Sequence, residues 1–156
     1  MDGVVGWRNA LQWGFDGHTS HVEPRRAVRG LTAAQAALVP PGGLHSAHRL
    51  LYHIVYWQEL VMAPVLGEGV RWPEGPEDWE SEMPPWAELV RRFEDNLDKA
   101  AQLAEAEELT RVLPEWDESI TVGGALTALI THNSYHLGQL IDARRATGCW
   151  EGEKTG

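Results

Sequence analysis

The sequence predicts an all-α protein, a four-helix bundle with short extra helices at its N-terminal end. Several long stretches repeat apolar residues every three to four positions, which is the period of an amphipathic helix. Clusters of Pro and Gly separate these stretches, and no segment shows the alternation of a β-strand. The length of 156 residues is typical of one domain, so we expect a single bundle domain over residues 1–156.

Three short helices are expected before the PPGG stretch. Residues 4–15 carry apolar side chains at four-residue spacing, which indicates a helix. A second helix is expected over residues 20–29, with Pro24 in its first turn, where the missing N–H costs little. Thr32 followed by Gln35 has the pattern of a capping box, which opens a third short helix.

Two long helices and a long loop follow. Residues 46–63 form an amphipathic stretch, with Ser46 as its N-cap and Pro64 at its end. Residues 67–85 are rich in Gly, Pro, Glu and Trp without a period. We therefore expect a long irregular loop between helices 2 and 3 of the bundle, which are the helix of residues 46–63 and the helix that follows the loop. Loops of this length are often functional. The next helix is expected over residues 86–107.

The last long helix carries the strongest pattern. Residues 109–120 are expected to form an irregular link, after which Thr121 caps a helix that runs to Gly148. Arg144 and Arg145 lie in its final turns, where positive charge complements the helix dipole.

This helix has apolar residues on two sides. One stripe is interpreted as a homodimer contact, with cover by the N-terminal helices as the alternative. Its members are Leu126, Ile130, Leu137 and Ile141.

Composition limits the functional classes. The formal net charge of −10 and the pI near 5.1 argue against nucleic-acid binding, which needs clustered Lys and Arg. The short basic run Arg25, Arg26 and Arg29 is expected on a solvated helix face. Cys149 is the single cysteine, which fits a reducing cytosol. No signal peptide or membrane span is visible, so we expect a cytoplasmic protein without a membrane partner.

Three histidines indicate a metal site. His132 and His136 lie one turn apart on one face of the last helix, and His53 lies on an inward face of the 46–63 helix. Three imidazoles suit Zn, Ni or Fe(II), and a set of three protein ligands leaves a position for water or substrate. The alternative is that each histidine is a hydrogen-bonded core residue.

Further residues are candidates for the pocket. His18, at a helix break, is a candidate catalytic base or extra ligand, with a surface position as the alternative. Gln139 is a candidate catalytic residue that hydrogen-bonds substrate, or a bundle-lining polar residue. Trp57 is a candidate cofactor-binding pocket wall, or core packing.

A metal-bound histidine usually passes its second N–H to a carboxylate or carbonyl group. Asp16, Glu59 and Asp117 are candidate acceptors, and the sequence does not choose among them. The remaining histidines are expected at the surface or in loops: His21, His45 and His48.

Two segments carry a family resemblance. HSAHRLLYHIVYWQELV and, about eighty residues later, THNSYHLGQLIDARRATG resemble the DinB / YfiT-like superfamily of metal-binding four-helix bundles. That pattern has a His in the second helix and HxxxHxGQ followed by a basic pair in the fourth. The positions that match its histidines are His53, His132 and His136. Matching context residues are Gly138, Gln139, Arg144 and Arg145.

The resemblance implies a metal-dependent enzyme acting on a small-molecule substrate. Members with known activity are transferases using low-molecular-weight thiols such as bacillithiol, and mycothiol-dependent maleylpyruvate isomerases. The isomerase branch resembles E-x-x-x-H in the last helix, whereas this chain has His132 in place of the Glu. We therefore expect a transferase with a divalent metal ion and a thiol cosubstrate. A metal-dependent hydrolase and a non-catalytic metal or small-ligand binding stress protein are the alternatives.

Overall fold

A computed structural model describes residues 3–18, 20–43 and 45–151. In that part of the chain it contains seven helices and one two-stranded sheet. In chain order, the elements are α1 Gly3–Asp16, α2 Pro24–Val28, α3 Ala33–Ala36, α4 Ala47–Val65, α5 Glu77–Glu80, α6 Trp86–Ala106, β1 Val112–Leu113, β2 Asp117–Thr121 and α7 Val122–Ala146.

The four long helices α1, α4, α6 and α7 pack as a bundle, so the all-α prediction is confirmed. Helix α4 packs against α6 and α7, and α1 contacts α6 and α7 on the other side. Most of the largest fully buried side chains come from α4, α6 and α7, and they include Leu51, Ile54, Phe93, Leu129 and Leu140. None of the helices in the described residues combines the length and apolar composition that a membrane crossing requires.

Helix caps follow the sequence signals. The Ser46 hydroxyl accepts from the Arg49 backbone N–H at the start of α4, and Thr121 caps α7 in the same way. Both hydrogen bonds of the predicted capping box at Thr32 are present. Pro64 was predicted to end α4, but it lies inside the last turn. The missing N–H of Pro64 removes only one helix hydrogen bond. The helix continues because the Leu66 N–H still donates to the Met62 carbonyl at 3.0 Å.

Two segments differ from the predicted irregular loops. Where an irregular link was predicted over residues 109–120, β1 and β2 form a short antiparallel hairpin that extends to Thr121, and its strands are too short to show a period in the sequence. Within residues 67–85, α5 is a single helical turn. The helix predicted over residues 20–29 is shorter and begins at Pro24.

The second apolar stripe of α7 is covered within the chain. Leu126 is fully buried and Leu137 nearly so. Helix α1 covers one end, where Gly14 lies against Ile130, and α2 covers the other end near Ile141. The N-terminal helices therefore cover this stripe, which was the alternative interpretation. The stripe gives no basis for the predicted homodimer contact.

The basic run on α2 is not uniformly solvated, contrary to the prediction. Arg25 is partly buried, and its guanidinium donates to the Asp98 carboxylate and to the Glu94 carbonyl on α6. Arg26 and Arg29 are exposed, as expected. The difference arises because the side of α2 that carries Arg25 faces α6, which the run of three arginines does not reveal.

Candidate metal centre

Helices α4 and α7 bring the three predicted histidines together. The Nε2 atom of His53 lies 3.0 Å from Nε2 of His132 and 3.0 Å from Nε2 of His136. One potential ligand atom from each residue lies within 4.8 Å of the other two. His132 and His136 meet His53 because residues four apart share a helix face and that face packs on α4. This three-histidine group could bind a metal ion.

A buried carboxylate holds the first imidazole. His53 donates its Nδ1–H to Oδ2 of Asp78, and the indole N–H of Trp57 donates to the same oxygen at 2.8 Å. Asp78 is only 4 % exposed, although it lies on α5 in the predicted loop. Because a carboxylate can only accept, the bond fixes His53 with its proton on Nδ1 and leaves Nε2 free.

Sequence reasoning missed Asp78. The three predicted acceptors bond elsewhere: Asp16 accepts from the His18 backbone, Glu59 pairs with Arg92, and Asp117 accepts from Ser119. Asp78 lies 25 residues from His53 in a segment without periodicity. The one available signal was the unusual length and Trp content of that segment.

Gln139 holds the second imidazole. Its amide oxygen accepts from the Nδ1–H of His136 at 2.7 Å. The predicted candidate for substrate binding therefore orients a histidine in this structure. The Nδ1 atom of His132 is buried and has no hydrogen-bond partner among the described residues.

The nitrogen atoms suit a cation. With both Nδ1 protons committed, the Nε2 lone pairs of His53 and His136 face each other at 3.0 Å, which is unfavourable unless a positive ion lies between them. A proton does not fill that role near neutral pH. Burial, then the neighbouring His136, lowers the pKa of His53 to about 4. Burial likewise lowers the pKa of His132 to about 4 and that of His136 below its usual value. Neutral imidazole is the form that binds metals, so the donor set fits a divalent ion.

Aromatic rings enclose the histidines. Trp79, next to Asp78 on α5, stacks on His53 with centroids 4.1 Å apart, and on His45 at 4.2 Å. Trp57, the predicted pocket wall, lies with its ring centroid 6.0 Å from that of His132. His45 lies in the loop before α4, as predicted, and it is half-buried in this stack.

His18 has the surface position that was its alternative interpretation. It is exposed, its ring stacks on Trp13 with centroids 6.0 Å apart, and it is not a member of the three-histidine group. His21 bonds Ser134, and His48 bonds the Pro84 carbonyl. Neither is a member of the three-histidine group.

A groove adjoins the site and follows α7 towards its C-terminal end. Its volume is about 460 Å³, within the range of small-molecule sites. His45 and Gln139 lie in its lining, together with Leu50, Asp142 and Ala143. A molecule in this groove would lie beside the residues that orient His136 and stack on Trp79.

Comparisons with known proteins agree with this geometry. A family model described as the DinB superfamily matches residues 22–140, which include all three histidines, Asp78 and Gln139. A search of curated proteins and a search of solved structures each found no match. The matched region is most of the chain, and it carries the three histidines, Gly138 and Gln139 of the resemblance, while Arg144 and Arg145 lie beyond it. The chain belongs to the DinB superfamily.

Proposed function

We propose that the protein is a metal-dependent enzyme, a transferase that uses a low-molecular-weight thiol at the site of His53, His132 and His136. The convergence of three Nε2 atoms, two of them oriented by Asp78 and Gln139, supports this proposal. Three imidazoles suit Zn, Ni or Fe(II), and three protein ligands leave a position for an exogenous group.

The residues of the chain have distinct tasks in this proposal. Asp78 and Gln139 hold the ligand imidazoles in the correct tautomer, which raises their basicity and limits their motion. Trp57 and Trp79 exclude water from one side. A divalent ion bound there would supply a Lewis acid that lowers the pKa of a thiol or a water molecule beside it. The groove along α7 would receive the electrophilic substrate.

His45 replaces His18 as the candidate proton acceptor. It lines the groove beside Gln139 and stacks on Trp79, whereas His18 is exposed elsewhere. Burial, followed by the charge of Arg49, lowers the pKa of His45, so its ring is neutral near pH 7 and can accept a proton. His45→Gln should reduce turnover while leaving bound metal unchanged.

Elemental analysis of untagged protein, paired with a transfer assay, tests the proposal. We expect about one divalent ion per chain, and transfer of a small thiol to an electrophile such as an activated aryl halide. His132→Ala should lose both the ion and the activity. His18→Ala is the matched control, because it removes an exposed histidine outside the site.

The same assay separates the alternatives. Ester or amide hydrolysis without added thiol would replace the transferase with a metal-dependent hydrolase. Metal binding with no turnover of either substrate type would leave a binding protein. Absence of bound metal from protein supplied with Zn, Ni and Fe(II) would overturn the metal site itself.

A further inference from the structure

A second pocket lies at the C-terminal end of α7, away from the histidines. Its volume is about 370 Å³, and three guanidinium groups line it: Arg26 on α2, Arg29 at the C-cap of α2, and Arg144 on α7. Arg144 is eight residues after His136, about 12 Å along the helix axis. The pocket is therefore separate from the proposed metal site.

Arg144 brings a buried charge to this pocket. It is 5 % exposed, and its guanidinium donates to the carbonyls of Ala27, Arg26 and Cys149. No carboxylate among the described residues lies within ion-pair distance of it. Its four hydrogen bonds use four of the five N–H groups of a guanidinium. Burial lowers the pKa of Arg144, although Cys149 and Glu151 oppose this shift. The site thus holds positive charge that neutral carbonyls solvate without neutralising.

The two exposed arginines are available for a ligand. Arg26 makes no ion pair with any residue that the structure describes, and the nearest Glu94 oxygen is 3.9 Å from Arg29, without a hydrogen bond. Arg26 and Arg144 lie over the Trp150 ring, 5.8 Å and 4.8 Å from its centroid. These cation–π contacts restrict the positions of the Arg26 and Arg144 guanidinium groups before a ligand binds.

The local charge has the opposite sign to that of the whole protein. The chain carries a formal net charge of −10, whereas the pocket lining has three guanidinium groups and one carboxylate, that of Glu151. A surplus of positive charge remains even when Glu94, 3.9 Å from Arg29, is counted, and it suits a phosphate monoester, whose charge at pH 7 is close to −2. Guanidinium forks bind phosphate oxygens in pairs, and Gln35 adds a neutral donor to the lining.

We propose that this pocket binds a small phosphate monoester, with Arg26 and Arg29 on the phosphate oxygens and Arg144 as the buried charge behind them. The volume is large enough for a phosphate with a small organic group. This site does not depend on the metal-dependent reaction.

Calorimetric titration of the full chain with inorganic phosphate and with glycerol phosphate tests the proposal, at constant ionic strength set with chloride. We expect one saturable site, tighter for the ester than for inorganic phosphate. Arg26→Gln and Arg29→Gln should each weaken binding about tenfold, as expected for loss of a charge-assisted hydrogen-bonding group. Both residues are exposed, so these variants should fold normally.

Two controls define the location. Arg91→Gln removes an exposed arginine on α6 outside the pocket and should change affinity less than twofold. His132→Ala, which removes a proposed metal ligand, should bind glycerol phosphate as the unaltered protein does. Loss of binding in His132→Ala but not in Arg26→Gln would place the anion at the histidines and overturn the proposal. Absence of a saturable heat, or equal weakening by Arg91→Gln, would also overturn it.

Discussion

Single residues orient two of the three imidazoles of the site through their second ring nitrogen. Asp78 anchors His53 with a charged acceptor, and Gln139 anchors His136 with a neutral one. His132 has no such anchor among the described residues. Carboxylate anchors raise the basicity of a ligand imidazole more than neutral acceptors do, so Asp78 should contribute most to metal affinity.

Asp78→Asn tests this role at nearly constant volume. We expect metal affinity to fall by about 10- to 100-fold, because the substitution removes the charge that favours the donor tautomer of His53. Competition with a chelator of known affinity measures the change. Asp117→Asn is the matched control, since Asp117 is exposed and its carboxylate bonds Ser119 alone among the described residues. Equal affinities of Asp78→Asn and the unaltered protein would contradict the role.

The depressed histidine pKa values predict a pH dependence for metal-free protein. His53 and His132 titrate near pH 4 in the fold but near 6.5 when unfolded, so between these values the unfolded chain binds more protons. The free energy of unfolding should therefore be largest above pH 6.5 and should fall as the pH decreases towards 4. Urea unfolding in the presence of a chelator, from pH 7.5 to 5, measures this slope.

A double variant tests whether the two histidines cause this pH dependence of the free energy of unfolding. Replacing His53 and His132 together with Gln should flatten the dependence between pH 6.5 and 5, where few carboxylates titrate. If the double variant keeps the full slope, other groups are responsible. Above pH 6.5 the free energy of unfolding should depend on pH to nearly the same extent in the double variant and in the unaltered protein.

At the scale of elements, the one-turn helix α5 depends on α4. Arg49 donates to the Ser81 carbonyl at 2.9 Å, and the hydroxyl of Tyr52 bonds the hydroxyl of Ser81. A helix of four residues is not stable alone, so these contacts and the bond from His53 hold Asp78 in place. The long loop therefore contributes to the site only because α4 binds it at several points.

Close packing between α1 and α7 also rests on a small residue. A Cβ atom at Gly123 would lie 2.3 Å from the Trp7 ring, whereas a Cβ at Gly138 on the same helix would meet nothing within 4 Å. Gly123→Ala should thus lower the free energy of unfolding by about 1–3 kcal/mol through overpacking. Gly138→Ala should raise it by up to about 1 kcal/mol, because Ala favours the helix. Chemical denaturation of both variants checks the pair, and destabilisation of equal size would contradict the packing argument.

At the scale of the whole molecule, arginines join distant parts of the chain through helix-end carbonyls. Arg8 on α1 donates to the carbonyls of Glu105 and Glu107 at the end of α6, and Arg111 donates to the Val65 carbonyl at the end of α4. These contacts satisfy carbonyl groups that have no partner inside a helix. They link the ends of the bundle helices through hydrogen bonds, beside the apolar packing of the core.

Arg144 is the buried member of this set, and Arg145 gives a matched comparison. Arg144→Met should destabilise the protein by about 2 kcal/mol, because the Ala27 and Cys149 carbonyls lose their donor. Arg145→Met removes an exposed pair with Asp142 and should cost less than about 1 kcal/mol. Thermal and urea unfolding in phosphate-free buffer measures both. Similar losses for the two variants would contradict the distinction.

The amino-acid sequence by itself determined the long helices and the candidate metal ligands. Periodicity placed the long helices, caps marked the starts of α4 and α7, and the four-residue spacing of His132 and His136 put them on one face. These signals are local, since each depends on residues within a few turns. The pairing of those histidines with His53 followed from two inward faces in one bundle.

Only the tertiary structure decided the surroundings of that ligand set. The partnership of Asp78 with His53, the stack of Trp79 on His45 and the burial of Arg144 each join segments that are distant along the chain. Such contacts depend on how one helix face meets another and how a loop folds over it. No repeat along the sequence encodes them, because burial and pairing are properties of the packed molecule.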